Sequence, residues 1–381
     1  MFQYQQQHRY FAQIATGFDE IAMAECEALG ARACRPAFRG FHFEADPDVV
    51  SRIIYTARLV TRVLAPLVTF DCHSDRYLYR TALQLDWRQL LQENETFAVQ
   101  AVTSNTPALK HSRYAALKVK DAICDYFRRE TGRRPSVNVT APDLGLHLFV
   151  RNNRATLSVD ASGGSLHKRG YRRQSTAAPL QEILAAAIIR LTEWSGTAPL
   201  WDPMCGSGTL LCEAAMLAAR IPAGQLRPTP PLVRLPGIDP AGWQAVKAAA
   251  DRAMRPLPAG LISGSDIAAE AIIAARANSQ ALPGGKGIAW RQQDFREVPQ
   301  VAPGTVIVAN PPYGVRLGAR DEAEALFKAF GDFLKQRCTG CTAFVYAGDR
   351  PLLKKIGLKP QWTRLLHNGA LPGVLGAFDL Y

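Results

Sequence analysis

Asn310-Pro311-Pro312-Tyr313-Gly314 follows the apolar run Thr305 to Ala309 and sets an amide beside two prolines and an aromatic ring. Prolines fix φ and donate no backbone hydrogen bond, so such a loop presents its carbonyls outward in a set shape. An amide oxygen and a proline carbonyl can accept both hydrogens of an exocyclic –NH₂. That holds the amine and exposes its lone pair to an electrophilic methyl. Tyr313 can stack on a base turned out of its helix. Asn310, Pro311, Pro312 and Tyr313 are therefore the candidate catalytic residues.

A second constellation suits a nucleoside ligand. Trp201-Asp202-Pro203-Met204-Cys205-Gly206-Ser207-Gly208-Thr209 joins an apolar strand to a helix. Glycines at a β-α turn remove side chains where a ligand touches backbone, and the N–H groups of the next helix favour a polar partner. Leu211 stands where a dinucleotide fingerprint needs its third glycine, and no Gly-Lys-Ser/Thr supplies a P-loop. Instead, Asp202 ends the strand before the glycines and suits an ammonium group. Asp266 and Asp294 are expected to end later strands, where they could accept from ribose hydroxyls and from an adenine amine. Acids at successive strand ends beside a glycine turn match the parts of S-adenosylmethionine. The candidate cofactor residues are Asp202, Pro203, Cys205, Gly206, Gly208, Thr209, Asp266, Asp294 and Asn310.

These residues need a parallel sheet to align them. Helices are expected over Leu180 to Leu191 and Thr209 to Ala219. Strands are expected at Pro199 to Trp201, Leu261 to Ser263, Ile288 to Arg291, Thr305 to Ala309 and Ala343 to Tyr346, with a closing pair at Trp362 to Leu366 and Ala377 to Tyr381. Residues Ile221 to Pro236 are proline-rich and read as a loop. Ahead of this, residues 1–65 read as strand (Tyr10 to Ile14), helix (from Phe18, ended by Gly30), strand (Phe38 to Phe43) and a helix holding Ile53, Ile54, Ala57 and Val60 on one face. Residues 66–162 read as α+β. A strand carries Phe97, Val99 and Ala101, a helix from Ser112 to Glu130 buries Val119, Ile123 and Phe127, and three short strands follow. Gly163-Gly164 marks a break, and 163–175 is a basic connector into the last region, 163–381.

The formal net charge is +12 over 381 residues. Lys110 to Arg173 holds fourteen Lys/Arg against five Asp/Glu, an excess of nine, which points to a phosphate-binding surface. Lys110, Arg113, Lys118, Lys120, Arg128, Arg129, Lys168, Arg169 and Arg172 are its candidate RNA contacts. The longest apolar stretch, Ile183 to Leu191, is broken by Arg190, and the N-terminus lacks the apolar core of a signal peptide, so a soluble cytoplasmic protein is expected. Its eight cysteines read as reduced thiols. Cys338 and Cys341 have no second Cys/His pair nearby, so a buried or turn position is favoured over a metal site.

Asp202 to Thr209, Asp266, Asp294 and Asn310 to Gly314 resemble the amino-methyltransferases of the Asn-Pro-Pro-Tyr class. His167 to Arg172, Ala178-Pro179-Leu180-Gln181-Glu182 and Gly314-Val315-Arg316-Leu317 extend the resemblance to THUMP-containing bacterial RNA methyltransferases. The chain is similar to the N-terminal half of the large-subunit rRNA guanine-N2 methyltransferase L, over nearly its whole length. The resemblance implies an α/β fold: a class I (Rossmann-like) methyltransferase domain with a seven-stranded sheet, preceded by ferredoxin-like and THUMP domains. It also implies S-adenosylmethionine as cofactor and guanine in 23S rRNA as target, without the second, fused methyltransferase of the longer enzymes. A tRNA guanine-N2 enzyme remains the alternative. The basic front region weighs against adenine methylation in DNA, and the intact motifs weigh against a non-catalytic assembly factor.

Overall fold

The computed structural model describes residues 1–109, 111–175, 179–313 and 319–381. Lys110, Ala178 and Gly314 to Leu317 lie outside them. The chain divides into two compact units.

The first unit comprises Met1–Ile14, Met23–Leu166 and Pro228–Ala248. Its elements are α1 (Gln3–Gln7), β1 (Arg9–Ile14), the later turns of α2 (Asp19–Ala28), β2 (Arg32–Ala37), β3 (Gly40–Glu44), α3 (Pro47–Thr56) and β4 (Val60–Asp71). They continue with α4 (Asp75–Leu83), β5 (Thr96–Ser104), α5 (Ser112–Thr131), β6 (Ser136–Val137), β7 (Leu144–Arg151) and β8 (Arg154–Asp160). Among the described residues the strands form one sheet in the order β2-β3-β1-β4-β8-β7-β5-β6. Helix α5 packs on β5 and α4 and buries Val119, Ile123 and Phe127, each worth about 1.5–3 kcal/mol relative to exposure. Gly132, at φ 75°, ends it.

Three expectations change here. The helical face expected to include Ala57 and Val60 stops at Thr56. Ala57 turns extended (ψ 139°) while its N–H still bonds Ile53, and the β-branched run from Val60 opens a 12-residue strand instead. That strand crosses the expected boundary at 65/66, pairing β1 on one side and β8 on the other. The two front regions therefore share one continuous sheet. Strand β2 is not among the expected elements: it is an edge strand with no buried residue, so no alternation marks it.

The second unit comprises Ala15–Ala22, His167–Arg227 and Ala249–Tyr381. Its elements run α6 (Glu182–Leu191), β9 (Leu200–Asp202), α7 (Thr209–Ala218), the end of α8 (Pro240–Arg252), β10 (Ile262–Asp266), α9 (Ala269–Gln280), β11 (Ala289–Gln292) and β12 (Val306–Ala309). Then come α10 (Ala319–Arg337), β13 (Thr342–Ala347), α11 (Arg350–Lys354), β14 (Trp362–Asn368) and β15 (Leu371–Asp379). The seven strands order as β11-β10-β9-β12-β13-β15-β14. All pairs are parallel except those made by β15. This is the expected seven-stranded, Rossmann-like sheet. Phe295 stands edge-on to both Phe330 and Phe333 at 5.3 Å, and Trp201 is edge-on to Phe333 at 6.1 Å. Aromatic packing thus fixes the elements around β9 and β12.

The proline-rich stretch holds only a short 3-10 turn, Pro231–Arg234. Yet residues 228–248 fold with the first unit. The Leu232 amide donates to Ala161, the Tyr4 hydroxyl donates to Pro236 at 2.7 Å, and buried Trp243 stands edge-on to Tyr55 at 5.7 Å. Trp243→Ala should therefore destabilise the protein by about 3–5 kcal/mol, the usual cost of truncating a buried tryptophan. Urea unfolding measures it, and an unchanged midpoint would mean that this segment adds nothing to the core.

Candidate functional site

Parallel register places the chemistry along one edge. Gly264 pairs with Asp202, Asp266 with Gln292, and Ile307 with Trp201, so β9, β10, β11 and β12 all end at the same side of the sheet. Open α/β sheets bind ligands at that carboxyl edge.

The turn between β9 and α7 has Gly206 at φ 50° and Gly208 at φ 78°. A Cβ on Gly208 would lie 2.7 Å from the Trp290 ring and 3.0 Å from the Ala275 methyl, whereas one on Gly206 would meet nothing within 4 Å. Gly208 is thus demanded by packing, and Gly206 leaves a space open. The Gly206 amide donates to Asp266 Oδ2 at 2.9 Å, and the Ala268 amide to Oδ1 at 3.0 Å. A carboxylate has about four acceptor sites, so Asp266 keeps capacity for a pair of hydroxyls. Asp202 is 1% exposed and accepts from the Met204 amide at 3.1 Å. Burial drives its carboxyl well above the usual range; the Met204 bond opposes this and the nearby Asp266 charge adds to it. Pro203, Cys205 and Thr209 are buried around the turn, and burial likewise drives the Cys205 thiol up.

Asn310 follows β12 directly. Its Oδ1 is buried and, among the described residues, has no hydrogen-bond partner. Leaving a buried acceptor unpaired costs about 1–3 kcal/mol, so the atom is set to receive a donor. Pro311 is buried and Pro312 exposed. Tyr313 is half-buried, edge-on to Tyr346 at 6.3 Å, and sits so close to Gly348 that a Cβ there would meet its ring at 2.7 Å. Burial raises its pKa, an effect that the nearby Asn368 side chain opposes.

Other expected residues lie differently. Asp294 sits two positions beyond β11, where it caps the turn Phe295–Glu297 and pairs with Arg296 at 2.8 Å. It is a cap held by a neighbouring arginine, not a strand-end acid. Arg169 is 1% exposed, with its guanidinium 3.5 Å from the fully buried Glu213 carboxylate, which also accepts from Tyr171 at 3.1 Å. A side chain without surface cannot contact RNA, so its candidate role is withdrawn. Arg172 likewise turns inward, to Glu182 at 2.8 Å. Lys168 is exposed. On α5, Lys118 pairs with Asp75 at 3.4 Å and lies over Tyr114, Lys120 pairs with Asp121, Arg128 with Asp125 at 2.9 Å and Arg129 with Glu130 at 3.0 Å; Arg113 is exposed. Cys338 and Cys341 are buried at the turn before β13, where the Cys341 amide bonds the Cys338 carbonyl at 3.1 Å.

Two residues at the edge escaped the sequence reading. Ile267, 64% exposed, presents an apolar side chain directly after Asp266. Trp290 packs against Gly208 and Gly264 alike. An apolar residue following a strand-end acid could have flagged the first; nothing in the local pattern flags the second.

A Rossmann-like sheet with a glycine turn and an orphan amide at its carboxyl edge defines a methyltransferase of the S-adenosylmethionine-dependent class. The profile described as "RMKL-like, methyltransferase domain" matches residues 169–375, and the THUMP domain matches 73–160. A Synechocystis protein named an RNA methyltransferase is 37% identical over 98% of this chain and 97% of its own. The ribosomal RNA large subunit methyltransferase K/L of Vibrio parahaemolyticus is 34% identical over 96% of this chain, which spans 52% of that longer protein. The crystal structure of SMU.472, a methyltransferase complexed with S-adenosylhomocysteine, superposes with a TM-score of 0.85 at 26% identity, covering 98% of both chains. The chain belongs to the THUMP-containing, RMKL-like methyltransferase family, and S-adenosylmethionine is its methyl donor. Among the described residues no helix is long and apolar enough to cross a membrane.

The buried Arg169–Glu213 pair generates a stability prediction. Arg169→Met should cost about 3–5 kcal/mol, because the carboxylate is left inside without its cation. Lys168→Ala, one residue away on the surface, should stay within about 0.5 kcal/mol. Denaturant unfolding of both variants checks this, and equal effects would contradict the inward placement.

Proposed function

We propose that this protein transfers a methyl group to the exocyclic 2-amino group of a guanine in RNA, with 23S rRNA as the substrate. The observation that carries the reading is the buried oxygen of Asn310, without a partner among the described residues, beside a proline pair and an aromatic ring. The match to ribosomal RNA methyltransferase K/L supports the rRNA assignment.

The residues of the sheet edge fit the cofactor. The open space at Gly206 admits a ligand against backbone, Asp266 suits the ribose hydroxyls, Asp202 suits the ammonium group, and Ile267 offers an apolar face to the adenine ring. When bound, S-adenosylmethionine supplies a methyl on a sulfonium centre that departs as a thioether. Asn310 Oδ1 and a carbonyl of the proline pair accept the two amine hydrogens and aim the nitrogen lone pair at that carbon. A C–N bond forms as the C–S bond breaks, and the amine then sheds one proton to water. Tyr313 supports the extruded base, its ring held edge-on by Tyr346. The exposed cations of the first unit, Arg113 among them, supply phosphate contacts.

Asn310→Ala should cut turnover by about a hundredfold or more while leaving cofactor and RNA affinity nearly intact, since the amide acts chiefly as the amine becomes tetrahedral; that factor equals about 2.7 kcal/mol. Single-turnover methyl transfer measures it, and near-wild-type turnover would remove Asn310 from the reaction. Mass mapping of rRNA and tRNA from a strain lacking the gene should show one guanine-N2 methyl lost from 23S rRNA. Loss from tRNA instead would redirect the substrate assignment.

Asp202 gives the pH dependence. Its folded pKa is raised by burial, so the carboxyl protonates on acidification earlier than an exposed one. Below about pH 7 a free α-amine stays charged, so only the acid changes state. Cofactor affinity should therefore fall as pH drops, and binding should release a proton. Calorimetry in buffers of different ionisation enthalpy reads both effects, and Asp202→Asn should remove them. A pH-independent affinity in the wild-type protein would take Asp202 away from the ammonium group.

A further inference from the structure

The connector after His167 reads in sequence as a basic, RNA-contacting segment, and two of its arginines instead turn inward. Arg172 spreads its guanidinium over four acceptors: Nε donates to Glu182 Oε1 at 2.8 Å, Nη1 to Ser207 Oγ at 3.3 Å, and Nη2 to the Leu180 carbonyl at 2.9 Å and Thr209 Oγ1 at 3.1 Å. Asn278, on α9 and 0% exposed, completes the arrangement. Its Oδ1 accepts from the Arg173 and Gln174 amides at 2.7 and 2.9 Å. Its Nδ2 donates to the Gln174 and Ser207 carbonyls, both at 2.9 Å. All four hydrogen-bonding positions of that amide are thus filled.

Ser207 is gripped twice, on its hydroxyl by Arg172 and on its carbonyl by Asn278, and Thr209 is gripped once. These two residues flank Gly208, whose backbone is left-handed. A glycine turn has many conformations open to it, and ordering each residue's backbone costs about 1–2 kcal/mol. The neighbouring side chains meet that cost before any ligand arrives. We propose that Arg172 and Asn278 are positioning residues for the cofactor, holding the glycine turn from behind in its binding conformation. Neither touches the ligand; each acts through Ser207 and its neighbours. The inference rests on the assignment of the glycine turn and Asp266 to S-adenosylmethionine made above.

The test uses the full-length protein, S-adenosylhomocysteine titrated by calorimetry, and steady-state methyl transfer. Arg172→Met and Asn278→Ala should each weaken the ligand by about tenfold, the equivalent of one hydrogen bond's net strength. The loss should fall on KM for the cofactor and not on kcat. A residue that merely stabilises the fold would lower the active fraction, and hence kcat, at constant KM. Ser207→Ala is the mild variant if the others fold poorly. It removes one gripped hydroxyl and should weaken the ligand by about threefold. Combined with Arg172→Met it should add nothing, because both remove the same contact. Fully additive effects, or unchanged affinity in all the variants, would overturn the clamp. Asp266→Ala separates the two levels: if it leaves affinity at the wild-type value, the cofactor assignment itself fails, whereas weakened binding there with normal binding in Arg172→Met sinks only the clamp.

Discussion

The indole of Trp290 fills space that two glycines leave vacant on separate segments. Cβ atoms on Gly208 and Gly264 would each lie 2.7 Å from its ring. Gly208 belongs to the turn after β9, Gly264 to β10, and Trp290 to β11, so one ring sets the spacing of three neighbouring strand ends. With that spacing fixed, the Gly206 amide reaches Asp266 at 2.9 Å and the Cys205 amide reaches the Ser265 carbonyl at 3.0 Å. The ligand edge follows from this contact. Any side chain larger than hydrogen at either glycine pushes the turn off the sheet and carries Asp202 away from Asp266.

The alignment of acids and amide was legible in sequence because parallel strands repeat one simple relation: a buried apolar run, then a polar residue at its carboxyl end. Asp202 and Asn310 obey it, whereas Asp266 ends a strand of mostly small residues, Ile262-Ser263-Gly264-Ser265. Asp294 fails it because β11 ends at Gln292, and the two further residues let the aspartate cap the turn that follows. A strand of four residues, with three exposed, gives no alternation from which to fix its end. Trp290 and Asn278 were invisible for a different reason. Their roles depend on what lies across the fold, at Gly208 and Ser207, and no spacing along the chain encodes that.

Charge misled for a related cause. The connector's arginines read as surface because arginine usually is, but Arg169 and Arg172 each meet a buried glutamate from a helix of the second unit. Glu213 stands within the apolar helix α7 and Glu182 opens the largely apolar α6, and an unpaired carboxylate at either buried position would be costly. An acid in an Ala/Leu-rich helix and a basic motif elsewhere are two halves of one signal. The count of positive charge available to RNA is correspondingly smaller than composition suggests, and several cations of α5 are shared with nearby carboxylates.

A buried acceptor without a donor, as Asn310 Oδ1 is among the described residues, is a local cost that a stable fold tolerates only when something else holds the atom in place. Here the holding is done by covalent geometry. Asn310 follows the end of a central parallel strand and precedes two prolines, so it has little backbone freedom to turn its oxygen toward water. In the proposed reaction, the free energy that a flexible loop would recover by solvating that oxygen is kept for an incoming N–H. In the proposed reaction the same rigidity would favour amines over hydroxyls. An –NH₂ brings two donors to two fixed acceptors, whereas a hydroxyl brings one and leaves the second acceptor unpaired, a difference of about 1–3 kcal/mol.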